Sequence, residues 1–299
     1  MRIVYVSLVS LALVLALLAA QCPGPAQPTA APAQPTAAPA QPTAAPANPT
    51  PAGLSGRISV AGSTTVQPLA EKLAEAFKAK NPGVQIDIQG GGSSVGVKSA
   101  GEGTVDIGTA SREVKPEELQ KYPDLKVFTI AQDGIAIVTH PEVPVSNLTK
   151  SQVRDIFAGK ITNWKDVGGP DKPIIVISRE EGSGTRSAFE ELVMGKDVVI
   201  FDKAILQASN GAVRTTVSTT PNSIGYLSFG YLDQSVKTLS IEGVEATEAN
   251  AASGKYPVVR PLVMLTKGEP TGVVKAWLDY ILGAEGQALV SKEGYIKVK

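Results

Sequence analysis

Ile58-Ser59-Val60-Ala61, Gly62-Ser63-Thr64-Thr65 and Val66 to Lys80 follow one another as strand, loop and helix, and this unit decides the fold. The first four residues are a short apolar run. In the third segment Val66, Leu69, Leu73, Ala76 and Phe77 recur with a helical period. Asn81-Pro82-Gly83 then stops the helix. The pattern repeats outward. Val84 to Ile88 alternates as a strand and runs into Gly90-Gly91-Gly92-Ser93-Ser94, with a short helix expected over Val95 to Ala100. Val105 to Gly108 reads as a strand, and Val127 to Thr139 as a long apolar strand region interrupted at Asp133-Gly134. Ile174 to Ile177 is a buried strand leading through Ser178 to Thr185 into a helix over Arg186 to Val193. Strand, loop and helix in this order predict an α/β fold with mainly parallel sheet.

In such folds ligands sit beyond the carboxyl ends of the strands, where loops open into helices. Three loops there share one chemistry: Gly62 to Thr65, Gly91 to Ser94 and Gly182 to Thr185. Each offers backbone N–H groups at a helix start, where the macrodipole favours negative charge. Glycine admits close backbone approach, and Ser or Thr adds a hydroxyl donor. One such loop is an ordinary capped turn. Three of them describe a site for a tetrahedral oxyanion. Two other motifs fail on inspection. Val97 separates Gly96 from Lys98 where a nucleotide P-loop needs Gly-Lys-Ser, and Glu181 stands where a hydrolase elbow needs glycine.

The 299 residues carry 28 Lys plus Arg and 28 Asp plus Glu, so no broad basic face points to nucleic acid. One His and one Cys exclude an intrachain disulfide and a Cys/His zinc cluster, and no metal or cofactor is expected. Met1-Arg2 precedes an apolar run from Ile3 to Ala20 that ends at Gln21-Cys22, the pattern of a secretory signal. Residues 1–22 are therefore read as a signal peptide ending at a Cys22 that resembles the lipid-modified cysteine of bacterial lipoproteins. An uncleaved anchor is the alternative, because about 18 apolar residues just span a bilayer. Gln21 departs from the small residue usual before that cysteine. Residues 23–55 form a linker with three copies of Ala-Gln-Pro-Thr-Ala-Ala-Pro, starting at Ala26, Ala33 and Ala40. Uncharged and proline-rich, it cannot build a core and favours extended polyproline II, with a reach of roughly 90 Å.

The ordered motifs Gly62-Ser63-Thr64-Thr65-Val66-Gln67-Pro68, Gly91-Gly92-Ser93-Ser94-Val95-Gly96, Asp106 to Arg112 and Arg179 to Arg186 resemble those of the substrate-binding subunits of bacterial phosphate ABC transporters. The resemblance extends over Gly56 to Lys299 and includes Ile161 to Asp166 and Ser223 to Tyr226. It implies a two-lobed, hinged periplasmic-binding-protein fold, the "Venus flytrap" of the type II class. Lobe 1 is expected over 56–131 and 262–299, and lobe 2 over 132–261. Carried over by position, Thr64, Thr65 and Ser93 bind phosphate from the first lobe, with Ser111 and Arg112 at the next contact. Arg179, Ser183, Gly184 and Thr185 bind it from the second. The implied partners are inorganic phosphate, a membrane permease and its ATPase, with the chain held outside the cytoplasm by its lipid.

Some family members carry an Asp at the position of Arg112, where it accepts the phosphate proton. An acceptor distinguishes protonated phosphate from sulfate, which would meet it lone pair to lone pair. Asp133 is the candidate for that role, and a turn or cap residue before Gly134 is its alternative. Arg179 is suited to bidentate bonds to the anion. Arg112 is either a second donor or a surface ion pair, and Glu181 is expected to orient Arg179 or Arg186. Asp106, Trp164 and Trp277 read as structural, and His140 as a turn residue before Pro141. Sulfate, tungstate or molybdate binding is the nearest rival function. A secreted phosphatase, with one histidine to serve as base, is a more distant one.

Overall fold

The computed structural model describes residues 53–195 and 197–298. The signal segment, Cys22 and the repeats of the linker lie outside them. In chain order the strands and helices are β1 (Ser55–Gly62), α1 (Val66–Lys80), β2 (Gly83–Gln89), α2 (Ser93–Glu102), β3 (Ile107–Ala110), α3 (Pro116–Lys121) and β4 (Leu125–Thr139). Then come β5 (Asn147–Leu148), α4 (Lys150–Phe157), β6 (Ile175–Arg179), α5 (Gly184–Phe189), β7 (Ile205–Gln207), α6 (Asn210–Thr219) and β8 (Ser223–Ser228). The chain closes with β9 (Lys237–Thr238), β10 (Ser240–Ile241), α7 (Glu248–Ala252), β11 (Val259–Lys267), α8 (Gly272–Leu282) and α9 (Ala284–Lys292).

α1 has the bounds its period predicts. Val66, Leu69, Ala70, Leu73, Ala74 and Phe77 form one buried face, and the Asn81 amide ends the helix by donating to Phe77 O at 3.0 Å. α5 begins two residues earlier than predicted, at Gly184, because Ser183 caps it: Ser183 Oγ accepts from the Arg186 N–H at 3.2 Å. The helical run continues as a π-turn over Glu190–Met194.

The main sheet runs β2-β1-β3-β11-β4-β8-β6-β7, with β9 added beside β4. β1 is parallel to β2 and β3, and β6 is parallel to β7 and β8. Between these two parallel sets lie β4 and β11, antiparallel to each other and to their outer neighbours. β4 is long enough to serve both halves. Leu125 to Gly134 pairs with β11, and Ile135 to Thr139 with β8. Its sequence interruption is no break: Asp133 and Gly134 stay in the strand, so the turn or cap reading of Asp133 is wrong. The ladder tolerates this charge because β11 supplies a partner for it.

The apolar residues divide into two large cores. One holds Ile58, Leu69, Phe77, Ile107, Ala131, Leu262 and Trp277, and the other holds Ile135, Phe157, Trp164, Tyr226 and Val258. The change of core falls between Ala131 and Ile135 on β4, and between Val258, just before β11, and Leu262 within it. Gln132 also pairs with Ile296 of the C-terminal segment, and Ile296 packs into the second core. Trp164 and Trp277 are fully buried, as expected of packing residues. No helix among the described residues is long and apolar enough to cross a membrane.

Candidate functional site

The three Ser/Thr/Gly loops converge. They leave the carboxyl ends of β1, β2 and β6 and open into α1, α2 and α5. Thr65 Oγ1 from the first loop lies 3.1 Å from Thr185 Oγ1 of the third. Ser93 Oγ accepts the Ser111 N–H at 3.0 Å and lies 3.4 Å from Ser111 Oγ. The Ser94 N–H donates to Gly182 O at 3.1 Å, which joins the second loop to the third. Gly184 packs so closely that a Cβ there would stand 2.1 Å from Ser93 Oγ and 2.7 Å from Ser111 Oγ. Only glycine permits this approach. Gly92 has φ 96°, and a Cβ there would stand 3.1 Å from Gly182 O.

Thr65, Ser93, Ser111, Ser183, Gly184 and Thr185 are thus brought together and buried. Ser183 Oγ accepts a cap bond yet keeps its O–H free to donate. Thr64 is half-buried at the margin, where its carbonyl accepts from Tyr231 OH at 2.6 Å. The Thr65 and Val66 amides of the first loop are shared with Ser63 Oγ, at 3.1 and 3.4 Å.

Arg179 ends β6 and is 1% exposed. Its Nε donates to Gln207 O at 2.9 Å and to Glu180 at 3.1 Å, while Nη2 donates to Glu180 at 2.8 Å and to Ala208 O at 3.1 Å. Nη1 is buried without a partner among the described residues. Arg179 therefore presents one nitrogen, not the bidentate fork expected from its sequence position. A buried, unpaired guanidinium nitrogen is costly unless an acceptor meets it.

Arg112 departs from expectation. It is 3% exposed, and its Nη1 and Nη2 form a fork on Glu118 at 2.8 and 2.7 Å, with a further bond to Ser94 Oγ. It is an ion pair, as one reading had it, but a buried one. Desolvation opposes the charge on Glu118, yet bonds from Arg112 and the Lys115 N–H leave its carboxyl below the usual value. Glu181 is exposed and orients neither arginine: Glu180 holds Arg179, and Glu190 holds Arg186 at 2.8 Å. Asp106 is structural, accepting from Ser59 N and Oγ.

Asp133 is buried. Its Oδ2 accepts from Arg260 Nε at 3.1 Å and Nη2 at 2.8 Å, and its Oδ1 from Ser228 Oγ at 2.9 Å. Burial pushes its carboxyl up, while Arg260 and Ser228 pull against that. Its link to the loops runs through Arg260, which donates to Thr65 Oγ1 at 3.1 Å and Ser111 Oγ at 3.3 Å. Asn210 completes the set, with Nδ2 at 2.9 Å from Thr65 Oγ1. Sequence reading missed Arg260 and Asn210. Arg260 carried a signal: like Asp133, it is a charge inside an apolar strand, Val258 to Val263. Asn210, at the start of α6, carried none. Among the described residues no three His, Cys, Asp or Glu side chains gather as a metal site would require.

A family model described as the PBP superfamily domain matches residues 30–285. The phosphate-binding protein PstS of Bacillus subtilis is 37% identical over 246 residues, covering 82% of this chain and 81% of its own. The chain belongs to the PstS family of phosphate-binding proteins. A PstS from Borreliella burgdorferi is 32% identical over 254 residues, 81% of this chain and 90% of its own. Among solved structures, a substrate-binding protein assigned to a phosphate ABC transporter of Clostridium perfringens, with bound phosphate, is 47% identical. It covers 82% of this chain and all of its own, with a TM-score of 0.79. The periplasmic-binding-protein fold expected from the motifs is therefore that of the PstS family.

Proposed function

We propose that the chain captures inorganic phosphate outside the cytoplasm and delivers it to the permease of an ABC-type phosphate transporter. The observation that carries this reading is the meeting of Thr65 and Thr185, from loops packed on different cores, together with a buried, unpartnered Nη1 on Arg179 at the end of β6, the strand that feeds the third loop. Hydroxyl and guanidinium donors gathered by three converging loops suit a tetrahedral anion. Charge-assisted bonds in such a dry setting are shorter and stronger than neutral ones.

The cradle consists of Thr65, Ser93, Ser111, Arg179, Ser183, Gly184 and Thr185, with Thr64 at its edge. Arg112 braces Ser94 and α3 at the rim. Asp133 serves as the counter-charge of Arg260: three protein donors already engage its carboxylate, which weighs against its taking the phosphate proton. Residues 56–131 with 262–299, and 132–261, act as two lobes. They hinge where β4 and β11 pass from one core to the other, so the anion bridges the closure. Capture rather than catalysis is the event. The chain's one histidine, His140, lies seven residues beyond Asp133 on β4, roughly 23 Å away at strand rise.

Lipid at Cys22 and the linker that precedes β1, one residue shorter than the expected 23–55 because Ser55 already pairs in that strand, would keep the binding part near its permease and raise its effective concentration there. The ATPase subunit would act on the far side of the membrane. Isothermal titration of the purified protein with phosphate and sulfate tests the reading. Phosphate should bind with the higher affinity, and a preference for sulfate, tungstate or molybdate would overturn it.

A further inference from the structure

We infer that Arg260 fixes the direction of the hydroxyl hydrogen bonds in the cradle and is its positioning residue. This rests on the phosphate reading above and deepens it. A guanidinium has five N–H donors and no acceptor. Wherever Arg260 meets a hydroxyl, that oxygen must therefore accept. Nη2 meets Thr65 Oγ1 at 3.1 Å and Nη1 meets Ser111 Oγ at 3.3 Å.

Thr65 is the decisive case. Its oxygen has two lone pairs and one O–H. Arg260 takes one lone pair, and the Asn210 amide takes the other at 2.9 Å. The Asn210 amide cannot be turned the other way, because its Oδ1 accepts the Ser228 N–H at 3.2 Å. Both lone pairs are spent, so the single O–H of Thr65 must donate, and it points where Thr185 Oγ1 stands at 3.1 Å. Ser111 has one lone pair committed to Arg260 in the same way. The Thr65 hydroxyl is thus set as a donor before an anion arrives, and only its hydrogen has to swing from Thr185 when it does.

Arg260 is held for this task. It is 2% exposed and stands directly across the β4–β11 ladder from Asp133, which fixes the plane of its guanidinium through two bonds. The charged and titratable groups facing it are Asp133 from β4, Arg179 from β6 and Tyr295 from the C-terminal segment. Four of its five N–H groups are assigned, to Asp133 twice, Thr65 and Ser111. The fifth is on Nη1, beside Ser111. A cradle preset this way favours the doubly charged form of phosphate, which offers more accepting oxygens, over the singly charged form, which carries a further proton to place.

The test is phosphate affinity at pH 6 and pH 8 for the unaltered chain, Arg260→Lys and Asn210→Ala, with melting temperature followed alongside. Lysine keeps the charge beside Asp133 but cannot reach Asp133, Thr65 and Ser111 together. The unaltered chain should bind more tightly at pH 8. Arg260→Lys should lose about tenfold to hundredfold in affinity, and its preference for pH 8 should shrink as Thr65 and Ser111 recover lone pairs. Asn210→Ala leaves the ion pair intact and should shrink the same preference by a smaller factor, which keeps the test open if Arg260→Lys does not fold. An unchanged ratio between the two pH values in both variants would overturn the inference, whatever the loss of affinity. Failure of the unaltered chain to bind phosphate at all would sink the phosphate reading instead.

Discussion

Asp133 and Arg260 face each other as register partners where β4 and β11 cross between the two cores, and both are buried. The pair also touches the candidate site, since Arg260 donates to Thr65 of the first loop and to Ser111 after β3. Stability and ligand recognition therefore meet in a single pair.

Replacing Asp133 by Asn should weaken phosphate and sulfate binding by similar factors. The change removes the counter-charge of Arg260 and leaves a buried cation unpaired, at a stability cost of about 3 kcal/mol or more. Titration with both anions on the folded variant checks this. A selective loss of phosphate, with sulfate spared, would mean that Asp133 does accept the phosphate proton.

Thr65→Val should leave the Arg260 and Asn210 donors without their shared acceptor. Each buried donor left unpaired costs about 1–3 kcal/mol, so affinity should fall at least about tenfold. Thr65→Ser keeps the hydroxyl and should stay within about threefold of the native chain. Equal losses in the two variants would show that the methyl group, not the oxygen, matters.

Gly184→Ala introduces a Cβ into the space held by Ser93 Oγ and Ser111 Oγ. The closed arrangement should be disfavoured while the separate cores are untouched. The expected result is a phosphate affinity lower by about tenfold or more with little change in ligand-free melting temperature. A native affinity would show that the three loops do not close as tightly as described.

The Arg112–Glu118 pair supplies an acid-side dependence. The folded-state carboxyl of Glu118 is lowered below its ordinary value of 4.5. Its contribution to stability is therefore complete above that value and is lost as pH falls through the folded-state value. Glu118→Gln should flatten the loss of melting temperature below about pH 4.5 relative to the native chain. Parallel curves for the two proteins would remove this pair from the acid response.

Much of the fold is legible in local sequence because local periodicity encodes it. α1 follows from one apolar stripe, and the three loops follow from Gly, Ser and Thr at strand ends. The long span of β4 was harder to read, since a charge in an apolar strand resembles a turn until its partner is known. That partner, Arg260, is 127 residues away. Asn210 reaches Thr65 across 145 residues. Neither distance has a local signal: strand register creates the first contact and the convergence of distant loops the second. Glu180 and Glu190 are a different case: Glu180 adjoins Arg179 and Glu190 lies four residues beyond Arg186, so both partners are local, and side-chain direction selects them over Glu181.

The most direct test of the phosphate cradle is a crystal structure of the protein grown with phosphate. One anion should lie within hydrogen-bonding distance of Thr65, Ser93, Ser111, Thr185 and Arg179 Nη1, with Arg260 still paired to Asp133. An anion bound elsewhere, or one whose proton is held by the Asp133 carboxylate, would contradict it.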